Sequence, residues 1–237
     1  MSSVSVCLST DLIAHHGDIS EKQVVIIDIL RATSCMLSAF MEGAEHIKAF
    51  DDLDKCRIMK SEGYLIAGER EGKKVEDFDL GNSPYDYIDF GVKGKKIAMT
   101  TTNGTKALIK SSSSKNIYIG SFINAQAVAD KLKNGNSEVL LFCAGWKGRP
   151  NSEDSLFAGM IISHLIESNF GLDGDEALMC FDFYKKNENN IYNVIKNSAH
   201  AKRLAKHTDI QKDLEYCSQI NKSRLVPVFT NNEIRPA

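Results

Sequence analysis

Apolar runs in this chain repeatedly end in residues that can grip an ion. Val24-Val25-Ile26-Ile27 delivers Asp28, then Arg31, Ala32, Thr33 and Ser34. A carboxylate there can hold a divalent cation, a guanidinium can clamp an oxyanion in a fork, and hydroxyls add neutral donors. A local reading uses the same residues: Asp28 and Thr33 cap a helix and Arg31 pairs with an acid. Glu69 and Arg70 form a second carboxylate and guanidinium pair, followed by Asn82, Ser83 and Pro84. Glu69 suits Mg²⁺, which bridges to phosphate oxygens while keeping several waters, and Arg70 suits a phosphate, carboxylate or sulfonate. A solvated charged turn is the alternative.

The third group is Thr101, Thr102, Asn103, Gly104 and Thr105. It reads as an anion cradle, with Gly104 allowing close backbone approach, but it lacks the lysine and glycine spacing of a nucleotide-phosphate loop. Ser121 and Asn124 repeat the theme, and capping explains them as well as binding does. Glu153 and Asp154 open a helical pattern, where adjacent acids either bind metal or complement the helix dipole. Cys143 and Arg149 have the C-x₅-R spacing of thiolate phosphatases. Phe142 stands where such enzymes carry His, however, and Pro150 stands where a helix should open, so a structural cysteine is preferred.

Elements that could position these groups follow from periodicity. Short β-branched runs at 4–8, 24–29, 46–50, 64–67, 96–100, 116–119, 138–142 and 225–229 predict strands. Helical spacing predicts helices at 33–41, 53–62, 105–110, 124–133 and 155–168, with further helices packed over the sheet between 177 and 217. Strands alternating with helices make an α/β sheet, in which ligands bind beyond the strands' carboxyl ends. The connection at 68–87 is too long to be idle and should line a site. One domain over 1–237 accommodates this, or two pseudo-lobes with the site between them.

With 29 Lys+Arg against 31 Asp+Glu, the formal charge of -2 recommends neither nucleic acid nor an anionic membrane as partner, so any anion attraction must be local. The six cysteines are scattered, without a metal or dithiol spacing, and the six histidines form no metal motif. The first residues lack a secretory pattern, and the run at 24–30 is interrupted by Asp28, so a cytoplasmic protein is expected. A homodimer is the expectation for such an enzyme.

Taken in order, Asp28-Ile29-Leu30-Arg31-Ala32-Thr33, Gly68-Glu69-Arg70, Phe78-Asp79-Leu80-Gly81-Asn82-Ser83-Pro84, Thr101-Thr102-Asn103-Gly104-Thr105, Gly120-Ser121-Phe122-Ile123-Asn124-Ala125, Cys143-Ala144-Gly145 and Glu153-Asp154 resemble the 2-phosphosulfolactate phosphatase (ComB-like) family. Haloacid dehalogenase phosphatases match poorly, because Leu30 occupies the place of their second Asp. The resemblance implies a three-layer α/β/α fold with a mixed sheet and Mg²⁺-dependent hydrolysis of 2-phospho-3-sulfolactate to 3-sulfolactate and phosphate, a step of coenzyme M biosynthesis. The Mg²⁺ would be held by acids drawn from Asp28, Glu69, Glu153 and Asp154, while Arg31 and 101–105 position the phosphoryl group. Water is the first choice of nucleophile, Asp28 the second and the Cys143 thiolate the third. Another small phospho-acid as substrate, or a non-catalytic anion-binding protein, are the rival readings.

Overall fold

A computed structural model describes residues 2–135, 137–207 and 209–237. Its strands are β1 (Ser3–Cys7), β2 (Gln23–Ile27), β3 (His46–Phe50), β4 (Leu65–Arg70), β5 (Lys73–Lys74), β6 (Lys96–Thr100), β7 (Asn116–Gly120), β8 (Val139–Cys143), β9 (Gly171–Leu172), β10 (Val228–Thr230) and β11 (Glu233–Arg235). The helices are α1 (Ala32–Met41), α2 (Leu53–Ile58), α3 (Pro84–Phe90), α4 (Gly104–Lys110), α5 (Ala125–Lys133), α6 (Ser152–Ile166), α7 (Asp175–Asn187), α8 (Ile191–Asn197), α9 (Ala199–Leu204) and α10 (Gln211–Cys217).

All the strands join one mixed sheet in the order β5-β4-β6-β3-β11-β10-β7-β2-β8-β1-β9. Strands β4, β6 and β3 form one parallel block, and β7, β2, β8, β1 and β9 form another. The hairpin of β10 and β11 joins them with antiparallel pairing on both sides, so the two blocks run in opposite senses. A flat sheet would put their carboxyl ends on opposite edges. Between β6 and β2, however, lie five strand-to-strand steps, and at roughly 20–25° of twist each these rotate the strands by roughly 100–125°. The blocks therefore turn toward each other, and the ends of β2 and β6 can share one site.

Alternation along the strands divides the core by face. Val25, Ile27, Leu141 and Cys143 pack with α5, α6 and the tail helices, whereas Val24, Ile26, Leu140 and Phe142 face α1. The second cluster also takes in Ile47, Ala49, Ile97 and Met99 of the smaller block, so the curved sheet wraps α1, α3 and α4 from two sides. Cys56 of α2 and Met59 just after it pack on Ile66 and Ala98 at the outer face of that block. Each large side chain sealed in this way stabilises the fold by about 1.5–3 kcal/mol.

Expected and observed elements differ where local chemistry intervenes. The strand expected at 225–229 begins three residues later, after Pro227, which has no N–H for a ladder bond. The connection at 68–87 is more ordered than expected. Glu71 and Gly72, with φ of 55° and 82°, form a tight turn between β4 and β5, and α3 starts at Pro84 behind a Ser83 capping box.

Candidate active site

Asp28 lies just beyond β2, in a turn its own backbone organises. Its N–H donates to Thr33 Oγ1 at 3.1 Å, that hydroxyl donates back to the Asp28 carbonyl at 2.9 Å, and Ala32 N–H donates to Asp28 Oδ1 at 3.3 Å. The Leu30–Arg31 peptide in this turn is cis. Burial pushes the Asp28 carboxyl up to about 6; His200 and the Ala32 N–H oppose the shift, while Glu69 and Glu153 add to it. The N-terminus of α4 arrives from the other block. A Cβ on Gly104 would stand 2.6 Å from the Ala32 Cβ and 2.9 Å from Asp28 Oδ2, so only glycine permits this approach.

Glu69, near the end of β4, is buried, and backbone donors orient it. Thr102 N–H donates to Oε1 and Gly72 N–H to Oε2, each at 2.8 Å. Asp28 and Glu69 thus come from different blocks yet line one cleft of ≈ 300 Å³, together with Arg31, Asn82, Thr102, Asn103, Lys147, His200 and Arg203. Several polar atoms of the lining are buried without a hydrogen-bond partner among the described residues: Arg31 Nε, Asn82 Oδ1, Thr102 Oγ1 and one terminal nitrogen of Arg203. Folding leaves such atoms unsatisfied only at a cost of about 1–3 kcal/mol each, so their gathering here calls for bonding from outside the described residues, from ordered water or from a ligand.

The tail supplies cations. Arg203 of α9 stacks on Trp146, its guanidinium carbon 3.9 Å from the ring centroid, and Lys206 and His207 follow on the same rim. His200 Nδ1, on α9, is hydrogen-bonded with Glu153 Oε1 at 2.9 Å. Arg31 is held by a buried ion pair to Asp213 of α10, whose other oxygen accepts from Ser83 Oγ at 2.6 Å. One end of the lining is therefore acidic and the rest strongly basic.

Of the residues singled out in the sequence, Asp28, Arg31, Glu69, Asn82, Thr102 and Asn103 line the cleft. Others are engaged elsewhere. Thr33 binds the Asp28 backbone, Thr101 and Thr105 bond each other, and Ser121 and Asn124 form a reciprocal capping box, with Asn124 Nδ2 also donating to the Ile119 and Leu225 carbonyls. These groups are helix-start machinery, and the binding reading of them gives way to the capping one. Ala32 contributes only its N–H to Asp28, and Ser83 serves Asp213. Arg70 turns to Thr100 Oγ1 at 2.9 Å and the Glu69 carbonyl at 2.7 Å rather than into the cleft.

The pair Glu153 and Asp154 separates from the expected metal set. Asp154 accepts from Ile29 N–H at 2.9 Å and Gly145 N–H at 3.3 Å, tying the ends of β2 and β8 together; burial, then Glu153 and Asp28, push its carboxyl well up. Glu153 is fully buried against His200. Cys143 is likewise sealed, and burial drives its thiol well above its ordinary range, the reverse of what a thiolate nucleophile requires. Residues 146–149 form a tight bridged turn with Arg149 exposed, not an anion loop around sulfur. Sequence reasoning missed Lys147, His200, Arg203, Lys206, His207 and Asp213, which read there only as charged positions.

Asp28 and Glu69, with the free oxygens of Asn82 and Thr102 beside them, make a hard-oxygen donor set. Among the described residues no group of three or more His, Cys, Asp or Glu is arranged around a metal position. A site of two carboxylates plus neutral oxygens suits Mg²⁺, which takes one or two protein carboxylates and retains water. Among the described residues, no helix is long and apolar enough to cross a membrane.

Fold and cleft together place the chain among α/β enzymes that receive a small, charged substrate at converging strand ends. A family model described as 2-phosphosulpholactate phosphatase matches residues 7–232. A relative from Prochlorococcus marinus is 40% identical over 211 residues, covering 86% of this chain and 87% of its own. One from Caldanaerobacter subterraneus is 35% identical over 222 residues and 92% of each chain; one from Clostridium beijerinckii is 34% identical over 237 residues, covering 96% and 99%. Each of the three is named a probable 2-phosphosulfolactate phosphatase. The chain belongs to the 2-phosphosulpholactate phosphatase family, and with it to the phosphoric monoester hydrolases.

Proposed function

We propose that this chain hydrolyses 2-phospho-3-sulfolactate to 3-sulfolactate and phosphate with the help of Mg²⁺, as a step toward coenzyme M. The observation that carries the reading is one cleft in which two carboxylates from opposite blocks adjoin unpartnered polar atoms and a basic rim. A substrate bearing phosphate, carboxylate and sulfonate brings about four negative charges at neutral pH. The lining offers Arg31, Lys147, Arg203 and Lys206 to meet them. Arginine forks suit each of these oxyanions, and the indole beneath Arg203 holds its guanidinium in plane.

Asp28 and Glu69 would hold Mg²⁺, with Asn82 Oδ1 and Thr102 Oγ1 as neighbouring oxygen donors. When bound, the ion neutralises charge on the phosphoryl oxygens. Arg31 lines the cleft and is fixed by Asp213, and its buried Nε has no partner among the described residues, so turning it to an oxyanion would cost no bond there. Water is the attacking group in this reading, placed by the carboxylates at the acidic end. Asp28 itself is the remaining alternative, because its raised pKa keeps it poised near neutral pH.

The test is phosphate release from a panel of phosphorylated hydroxy acids, with Mg²⁺ and with chelator. Release from 2-phosphosulfolactate that chelator abolishes is the expected result. Faster release from another phospho-acid would move the substrate, and tight binding with no release from any would replace catalysis by anion binding. Rapid quenching with phosphorus-labelled substrate should leave no label on protein; label on Asp28 would make it the nucleophile.

A further inference from the structure

Glu153 lies in the first turn of α6 and is completely sealed from solvent. One of its oxygens meets His200 Nδ1 at 2.9 Å, while the other has, among the described residues, only the Ser152 hydroxyl at 3.4 Å. A carboxylate buried with so few donors is costly, so it depends on its one strong partner, His200. With Nδ1 against the carboxylate, Nε2 is the nitrogen left for other work, and the imidazolium, which carries a proton on each nitrogen, can donate from it. Asn151 Nδ2 stands 3.1 Å from the same nitrogen, but two N–H donors do not bond, so Glu153 is the partner that orients the ring. Among the described residues nothing bonds Nε2, and His200 lines the cleft that also holds Asp28 and Arg203. A base-type side chain aimed into a site and oriented from behind by a buried carboxylate is the arrangement through which enzymes move protons.

We infer that His200 is the general acid of this phosphatase, delivering a proton from Nε2 to the oxygen that leaves phosphorus, and that Glu153 is the residue that positions it. The inference rests on the phosphatase reading above. Breaking an alkyl phosphate expels an alkoxide, which is too basic to leave readily without a proton. Water forms the new bond to phosphorus as the ester bond breaks. The departing oxygen takes the Nε2 proton of the His200 imidazolium, one proton of the water restores that imidazolium, and the other stays on the phosphate. Other basic groups of the lining are less suited to this: Arg31 is tied to Asp213, Arg203 is stacked on Trp146, and Lys147, Lys206 and His207 are exposed, with no buried carboxylate behind them among the described residues.

The experiment compares H200Q and E153Q with the wild type on 2-phosphosulfolactate and on its analogue with sulfur at the bridging position, whose thiolate leaves without protonation. General acid catalysis contributes about 10²–10⁴-fold, so H200Q should lose about that factor in kcat on the oxygen ester. On the sulfur analogue it should lose less than about tenfold, with KM little changed on either. E153Q should show the same contrast more weakly, and the double variant should be no slower than H200Q alone, as expected of residues acting as one unit. If H200Q folds poorly by thermal unfolding, E153Q still reports the contrast. Equal losses on both substrates, a loss confined to KM, or additive losses in the double variant would overturn the assignment. Absence of phosphate release by the wild type from the oxygen ester would instead overturn the reaction on which it rests.

Discussion

Replacing Asp213 by Ala should remove about 3–5 kcal/mol of folding stability, although its partner Arg31 is 182 positions away in sequence. The two side chains are 7% and 6% exposed, so neither charge is shared with water to any useful extent. With Asp213 gone, the Arg31 guanidinium keeps, among the described residues, only the Gly72 carbonyl at 3.5 Å, and the Ser83 hydroxyl loses its acceptor. Truncating one side of a buried pair is costly because a charge is stranded, whereas replacing both sides with apolar groups of similar volume is often close to neutral. The R31M/D213L double variant should therefore be more stable than D213A, though inactive. Urea unfolding followed by circular dichroism measures this directly: with a slope of about 1–3 kcal/mol per molar urea, the D213A midpoint should fall by about 1 M or more. A fall below about 0.3 M, or a double variant at least as unstable as D213A, would refute the stranded-charge argument.

Other perturbations separate chemistry from architecture. Asp28→Asn should abolish phosphate release while leaving the fold intact. It should also change the pH dependence of stability. Folded Asp28 keeps its proton to about pH 6, against about 3.9 for an ordinary aspartate. The folded state thus binds more protons between these values, and wild-type stability falls as pH rises through that window. Without added metal, Asp28→Asn should exceed the wild type by on the order of 3 kcal/mol above pH 6 and converge with it near pH 4; thermal scans showing the gap widen toward acid would contradict this. Cys143→Ser should retain kcat within about tenfold, since the thiol is sealed away from the cleft. A loss as complete as that of Asp28→Asn would reinstate the thiolate.

The parts of the site visible in sequence are those carried by the chain's own local grammar. Asp28, Glu69, Thr102 and Asn103 stand at or just beyond strand ends, and an apolar run ending in such residues announces where they will sit. Thr33, Thr101, Thr105, Ser121 and Asn124 carry the opposite lesson. Residues that cap a helix are the same types that bind an anion, so spacing alone left both readings open until their hydrogen bonds were seen. His200, Arg203 and Asp213 were illegible for a different reason: each lies on a short helix of the tail, and nothing local says that helix folds back over β2. Helix α3 was missed although Ser83, Pro84 and Asp86 spell a capping box, because the surrounding Gly, Asp and Asn read as loop. The two-residue strands β5 and β9 fall below any periodicity signal.

The hairpin of β10 and β11 follows every other strand in the chain, yet occupies the middle of the sheet. During synthesis the two parallel blocks are therefore made before the piece that welds them, and each waits with an open flank at β3 or β7. Such unpaired strand borders recruit neighbours of the same kind. A ribosome that stalls shortly before Val228 would hold a chain whose halves are separately cohesive but free to pair with another copy, so shielding of those borders by a chaperone matters most until the hairpin is made.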